Sequence, residues 1–191
     1  MRRAVLLLAT VALVVLAAGG VALAVTEIGG PGPDVLKGTD NRDTLKGKGG
    51  PDTLLGLGAA DCLSGGTGPD SAKGGPGNDT VLGGPTVGHC DARQERPGSS
   101  DVVSGGPGKD VVDGAAGADS ISGGDGDDVL SDGENHGGAT DVLSGGGGDD
   151  VLLPANDPAG KDLVSCGSGH DEVFADSEDV VSGDCEVVHR P

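Results

Sequence analysis

Aspartate recurs in this chain every nine residues, at positions 34, 43, 52, 61, 70 and 79, and the beat resumes at 101, 110, 119 and 128. It continues at 141 and 150 and at 162 and 171, after steps of 13 and 12 residues, and Asp179 closes the series one residue early. Two residues after each of these fifteen aspartates stands an apolar residue, from Leu36 and Leu45 through Ile121 to Val173 and Val181. Two residues before it stands glycine in ten of the fifteen cases, among them Gly32, Gly50, Gly68, Gly77, Gly108, Gly117, Gly126 and Gly148. Six residues rich in Gly, Pro and Asp read as a turn, and the D-x-U-x that follows, with U aliphatic, reads as a very short strand. No segment carries the 3.6-residue apolar period of an amphipathic helix. A unit with one aliphatic side chain cannot bury it alone, so it must stack on copies of itself.

Composition says what the stack lacks. Among 191 residues there are 40 Gly, one Phe and no Trp or Tyr, so the aromatic area that dominates ordinary cores is missing. The formal charge is −19, which disfavours nucleic acid and anionic membrane as partners. In stretches such as "GGDGDDVLS" (123–131) like charges crowd onto the most flexible backbone available. Such carboxylates repel unless a cation holds them. Calcium suits that task, since it takes six to eight oxygen ligands in irregular geometry, whereas magnesium demands a compact octahedron.

The unit G-G-x-G-x-D-x-U-x matches through its Asp in "GGPGPDVLK", "GGTGPDSAK", "GGPGNDTVL", "GGPGKDVVD", "GGDGDDVLS" and "GGGGDDVLL". It resembles the RTX, or haemolysin-type, calcium-binding nonapeptide repeat, over essentially Gly29 to Val188. The resemblance implies an all-β fold, a right-handed parallel β-roll (β-solenoid) of turn–strand repeats with two units per 18-residue coil, hence about seven coils. It implies Asp carboxylates and turn carbonyls as ligands for several Ca2+, roughly six to ten on this chain's charge and pair count. Carried over position by position, the ligands are Asp34, Asp43, Asp52, Asp61, Asp70, Asp79, Asp101, Asp110, Asp119, Asp128, Asp141, Asp150, Asp162 and Asp171. The turn glycines Gly32, Gly50, Gly68, Gly77, Gly108, Gly117, Gly126 and Gly148 go with them. Residues 18 apart then lie one above the other, Asp34 over Asp52 and Asp43 over Asp61. A metal-free chain is expected to be largely unfolded and to fold on binding calcium.

Phase breaks mark inserted loops at 83–100, 132–140 and 154–160. The step from Asp79 to Asp101 reads as two periods plus four, with Gly88 in an aspartate slot. A disulfide-linked cap is expected from about 162. Cys166 and Cys185 lie about one coil apart, within disulfide reach. Cys62, on a strand, and Cys90, in the first loop, are the favoured second pair. Cys166, His170, Cys185 and His189 form a rival zinc set. Residues 1–24, with "MRR", an apolar run and Ala22-Leu23-Ala24, have the form of a secretory signal peptide, leaving 25–188 as the repeat domain outside the cell. An uncleaved anchor is the alternative. The function expected is a secreted calcium-binding repeat protein with a structural or interaction role, its protein or cell-wall partner open. A surface adhesin or matrix spacer is a second reading, and an accessory part of a secreted hydrolase a weaker third. The chain has neither H-E-x-x-H nor G-x-S-x-G, and no catalytic residue is assigned.

Overall fold

The computed structural model describes residues 23–84, 100–133, 138–154 and 160–191. Among them there is no helix, and seventeen short strands follow one another. The first seven are β1 (Thr26–Ile28), β2 (Val35–Lys37), β3 (Thr44–Gly49), β4 (Thr53–Leu55), β5 (Cys62–Thr67), β6 (Ser71–Lys73) and β7 (Thr80–Leu82). Then come β8 (Val102–Pro107), β9 (Val111–Asp113), β10 (Ser120–Asp125), β11 (Val129–Ser131) and β12 (Val142–Gly147). The last are β13 (Val151–Leu153), β14 (Leu163–Ser168), β15 (Glu172–Phe174), β16 (Val180–Val181) and β17 (Val187–His189).

Odd-numbered strands form one nine-stranded parallel sheet and even-numbered strands an eight-stranded one. The chain therefore crosses between sheets at every turn, and two strands complete a coil. This is a parallel β-roll, with about eight coils rather than about seven. The additional turns come from β1 and β17, whose units lack the marker aspartate. Val25-Thr26-Glu27 and Glu186-Val187-Val188 fill D-x-U slots, and Glu27 pairs in register with Leu45 and Val188 with Val173.

Within each D-x-U strand the middle side chain points inward, because successive side chains of a strand face opposite ways. Leu36, Leu54 and Ala72 stack in register on one sheet, and Leu45, Leu63 and Val81 on the other. All fourteen aliphatic positions from Leu36 to Val173 are at most 3 % exposed. The core is thus two facing columns one side chain deep, and at about 1.5–3 kcal/mol per buried aliphatic residue it must offset the ordering of long glycine-rich turns. Mostly polar and small residues flank each buried position, apart from exposed aliphatics such as Val35, Val102, Val142, Leu163 and Val180.

The insertions leave the roll's register untouched. β6 pairs with β8 and β7 with β9, so Asp79 and Asp101 belong to consecutive half-coils. The reading of that step as two periods plus four is corrected: it is one period with thirteen residues added, since Asp70 and Asp101 are 31 apart where ordinary neighbours are 18 apart. No rung is left over for Gly88, which itself lies outside the described residues. The later insertions add four residues and then three, giving separations of 22 and 21. Roll geometry also runs past 162, since β14 pairs with β12 in register and β16 with β14. β17 likewise pairs with β15 in register.

Candidate metal centre

Each turn ends on an aspartate, and the aspartates form two ladders, one along each edge of the roll. In each, the backbone N–H of one aspartate donates to the Oδ1 of the aspartate in the next coil. One ladder runs Asp34, Asp52, Asp70, Asp101, Asp119, Asp141, Asp162, Asp179, with bonds of 2.6–3.0 Å. The other runs Asp43, Asp61, Asp79, Asp110, Asp128, Asp150, Asp171, with bonds of 2.6–2.9 Å. All fourteen aspartates carried over from the repeat stand in these two ladders. Asp43 and all later rungs are at most 6 % exposed, and only Asp34, on the first turn, is half-buried.

The second oxygen, Oδ2, behaves differently. In Asp52, Asp61, Asp70, Asp79, Asp110, Asp119, Asp128, Asp150, Asp162 and Asp171 it is sealed from solvent and has no hydrogen-bond partner. An orphaned buried carboxylate oxygen is costly, of order several kcal/mol if the group stays charged. Burial pushes the carboxyls of Asp70, Asp79, Asp119 and Asp128 up to about 7 and those of Asp61, Asp150 and Asp162 up to about 6. The rung amide pulls each down and neighbouring rung charges push it back up. Asp52 and Asp110 are raised for the same leading reason.

The repeat's glycines explain why Oδ2 is stranded. Among the described residues, the fourth before a rung aspartate has a positive φ in the interior turns, +112° at Gly66 and +113° at Gly75. That conformation turns its N–H across to the next coil, where Gly66 donates to the Gly83 carbonyl (2.9 Å) and Gly75 to that of Gly105 (2.7 Å). The fifth residue before the aspartate lies against its carboxylate. A Cβ on Gly47 would stand 2.2 Å from Asp52 Oδ2 and 2.3 Å from the Gly65 carbonyl oxygen, and one on Gly145 would stand 2.4 Å from Asp150 Oδ2 and 2.5 Å from the Cys166 carbonyl oxygen. Without a side chain there, a carboxylate oxygen and a carbonyl oxygen of the next coil converge on one spot.

The predicted turn glycines occupy the slot two before the aspartate. Gly50, Gly68, Gly77, Gly108, Gly117, Gly126 and Gly148 all have positive φ, and, Gly117 aside, their backbones ride directly over the preceding coil. Gly32 is the exception, with open space around it on the first coil.

Three end residues escaped the sequence reading. Glu186 Oε2 accepts the Asp171 N–H (3.0 Å) and so is the last rung of its ladder. The signal was present in Val188, two residues on, but a search for Asp passes over it. At the other end Val25 holds an aspartate slot, donating its N–H to Asp43 Oδ1 (2.6 Å), and Glu27 Oε2 accepts from the Lys37 N–H (3.2 Å). Beyond β16, Arg190 donates to the Asp176 and Asp179 carbonyls.

Cys166 and Cys185 are disulfide-bonded, with Cα atoms 5.2 Å apart. The rival zinc set is thereby corrected, since both sulfurs are committed to each other. His189 instead stacks on Phe174 and contacts Glu172 Oε1 at 2.8 Å. Cys62 is disulfide-bonded as well; its expected partner, Cys90, lies outside the described residues.

A family model of the RTX calcium-binding nonapeptide repeat, four copies long, matches residues 28–61, 37–71, 55–85, 98–130 and 137–153. Those segments cover more than half of the chain. The chain belongs to the RTX calcium-binding nonapeptide repeat family. No curated protein matches its sequence. The residues fit the ion the family implies: hard anionic oxygens lacking donors stand beside backbone carbonyls, in a cradle kept open by glycine. Soft ligands are absent from these turns among the described residues, apart from Cys166 in its disulfide.

Proposed function

We propose that this RTX protein is an exported, non-catalytic structural roll that folds when calcium fills its two aspartate ladders. One observation carries the reading: in ten of the twelve rungs from Asp52 to Asp171 a buried Oδ2 lacks any donor. A divalent ion taken up beside them would replace repulsion between neighbouring rungs with attraction, and the number of ions falls in the range of six to ten. Because the site barely exists in the unfolded chain, binding energy becomes folding energy. Export is supported by the leader pattern of residues 1–24, which lie almost wholly outside the described residues, and by the Cys166–Cys185 disulfide, a bond of oxidising compartments.

The test is far-UV circular dichroism on the reduced-calcium and calcium-loaded chain, with calorimetric stoichiometry. A strong gain of β-signal with several ions bound per chain is expected; identical spectra in calcium and in chelator sink the proposal.

A second reading, a calcium-stiffened spacer or adhesin, is favoured by one row of exposed aliphatics, Val142, Leu163 and Val180, adjacent in register on the eight-stranded sheet. Calcium-dependent binding to intact cells that is lost when these three become Thr supports it; equal binding by both forms counts against it.

A further inference from the structure

Interior turns open on a residue that carries no charge: glycine through most of the roll, and Pro154, Cys166 or Ala175 towards its end. One turn opens on Asp132. Ser131 pairs in register with Asp113 and with Leu153, and its carbonyl accepts the Gly114 N–H at 3.0 Å, which stacks Asp132 on Gly114 in the first slot of the turn. Gly133 (φ +80°) lies directly over Ala115 (φ +71°), so the second slot keeps the ordinary geometry too. The turn then departs from the repeat, reaching its rung aspartate, Asp141, four residues late. In the ordinary turn below, a Cβ on Gly114 would stand 2.7 Å from Asp119 Oδ2. The lengthened turn accommodates a whole carboxylate in the equivalent place.

That carboxylate joins two rungs. Oxygens of Asp132, Asp141 and Asp162 lie within 4.8 Å of one another, and the three residues are 1 %, 0 % and 1 % exposed. Asp141 donates its N–H to Asp162 Oδ1 (2.8 Å), while Asp162 Oδ2 is buried without a hydrogen-bond partner. Three anionic oxygens held this close out of water repel strongly unless a cation joins them. Oxygens bound to one calcium at about 2.3–2.6 Å stand at most about 5 Å apart, so the three fit around one such ion.

We propose that Asp132, Asp141 and Asp162 form a separate, three-carboxylate Ca2+ site, distinct from the repeat's carboxylate-and-carbonyl turns, which pins the start of the 132–140 insertion to two successive coils. Its substitution of a carboxylate for the first glycine gives it one more negative charge than a repeat turn supplies, so it fills ahead of the ladders.

The inference rests on the calcium-ladder reading, and the experiment separates the two. The full chain is titrated calorimetrically with CaCl2 alongside Asp132→Asn and Asp132→Gly, the second restoring the residue that most first slots carry. Both variants are expected to bind one Ca2+ fewer per chain, losing the tightest step, while far-UV spectra in saturating calcium match the parent's. Equal stoichiometry in all three forms overturns the site and leaves the ladders standing. A parent chain that binds no calcium overturns the ladder reading and this site with it.

Discussion

The outermost turns and the interior turns are written in the same nine-residue unit but solve the same electrostatic problem differently. In the first two turns the residue four before the aspartate is not left-handed, and its N–H points back into its own turn: Gly30 donates to Asp34 Oδ2 at 2.6 Å and Thr39 to Asp43 Oδ2 at 2.5 Å. The last rung does the same from three residues back, with the Asp176 N–H on Asp179 Oδ2 at 2.9 Å. In described interior turns such as those before Asp70 and Asp79 that amide is turned to the next coil, and Oδ2 has no donor. A single backbone rotation thus separates turns that close on themselves from turns built to receive a cation. The ends need no neighbour beyond them; the interior gains inter-coil bonds and leaves carboxylate oxygens without donors.

If the interior carboxylates are the obstacle to folding without metal, protons should partly substitute for calcium. Their folded values of about 6 to 7 lie above the usual 3.8, so the folded state holds protons more tightly than the unfolded chain. The resulting stability is fully present below about pH 4 and is lost as pH rises through 6 to 7. In chelator, acidification from pH 8 to 5 should raise the β-signal in circular dichroism. No gain would break the comparison at its root.

The next largest effect comes from adding one methyl group in equivalent slots. Gly126→Ala sets a Cβ 1.5 Å from the Gly108 carbonyl oxygen at φ +132°, whereas Gly32→Ala meets nothing within 4 Å. In saturating calcium the first should cost about 3 kcal/mol or more in denaturant melts, and the second less than about 0.5 kcal/mol.

Neutralising one rung should discriminate by metal. Asp119→Asn removes a charge beside an orphaned oxygen and should reduce calcium stoichiometry, lowering stability in calcium by about 2 kcal/mol. Asp43→Asn, whose Oδ2 already has Thr39 as donor, should keep the stoichiometry and cost about 1 kcal/mol. Calorimetry paired with melts reads both, and equal calcium loss in the two variants would erase the distinction.

The smallest effect has opposite signs in the two regions. Leu57 (φ +88°) and Ala59 (φ +73°) force side chains into the left-handed region in the turn before Asp61. Leu57→Gly and Ala59→Gly should each stabilise by about 0.5–1 kcal/mol, the relief of strain less glycine's entropy. Thr39→Gly, in an outer turn without that φ, should destabilise by about 1 kcal/mol as the Thr39 hydroxyl contacts to Asp43 are lost.

Much of this was legible beforehand. The alignment of Asp34 with Asp52, the inward column from Leu36 to Val173 and the Cys166–Cys185 bond all follow from counting residues, because a stacked repeat converts sequence distance directly into height along the roll. Counting failed where length alone is ambiguous. The 22 residues from Asp79 to Asp101 fit two periods plus four as well as one period plus thirteen, and only strand pairing decides. It also failed at the ends, where Glu186 does the work of an aspartate and where Val25 and Glu27 hold slots whose residue types do not announce them.

By itself the sequence determined that this chain must stack, with what period, which side chain goes inward and that hard oxygens line both edges, since each follows from residue types repeated at fixed spacing. Tertiary structure alone decided which carboxylate oxygen is spoken for and which is stranded, how the ends are closed, and that Asp132 meets Asp141 and Asp162. Those outcomes depend on the direction of individual amide bonds and on contacts between coils, which a period along the chain does not encode.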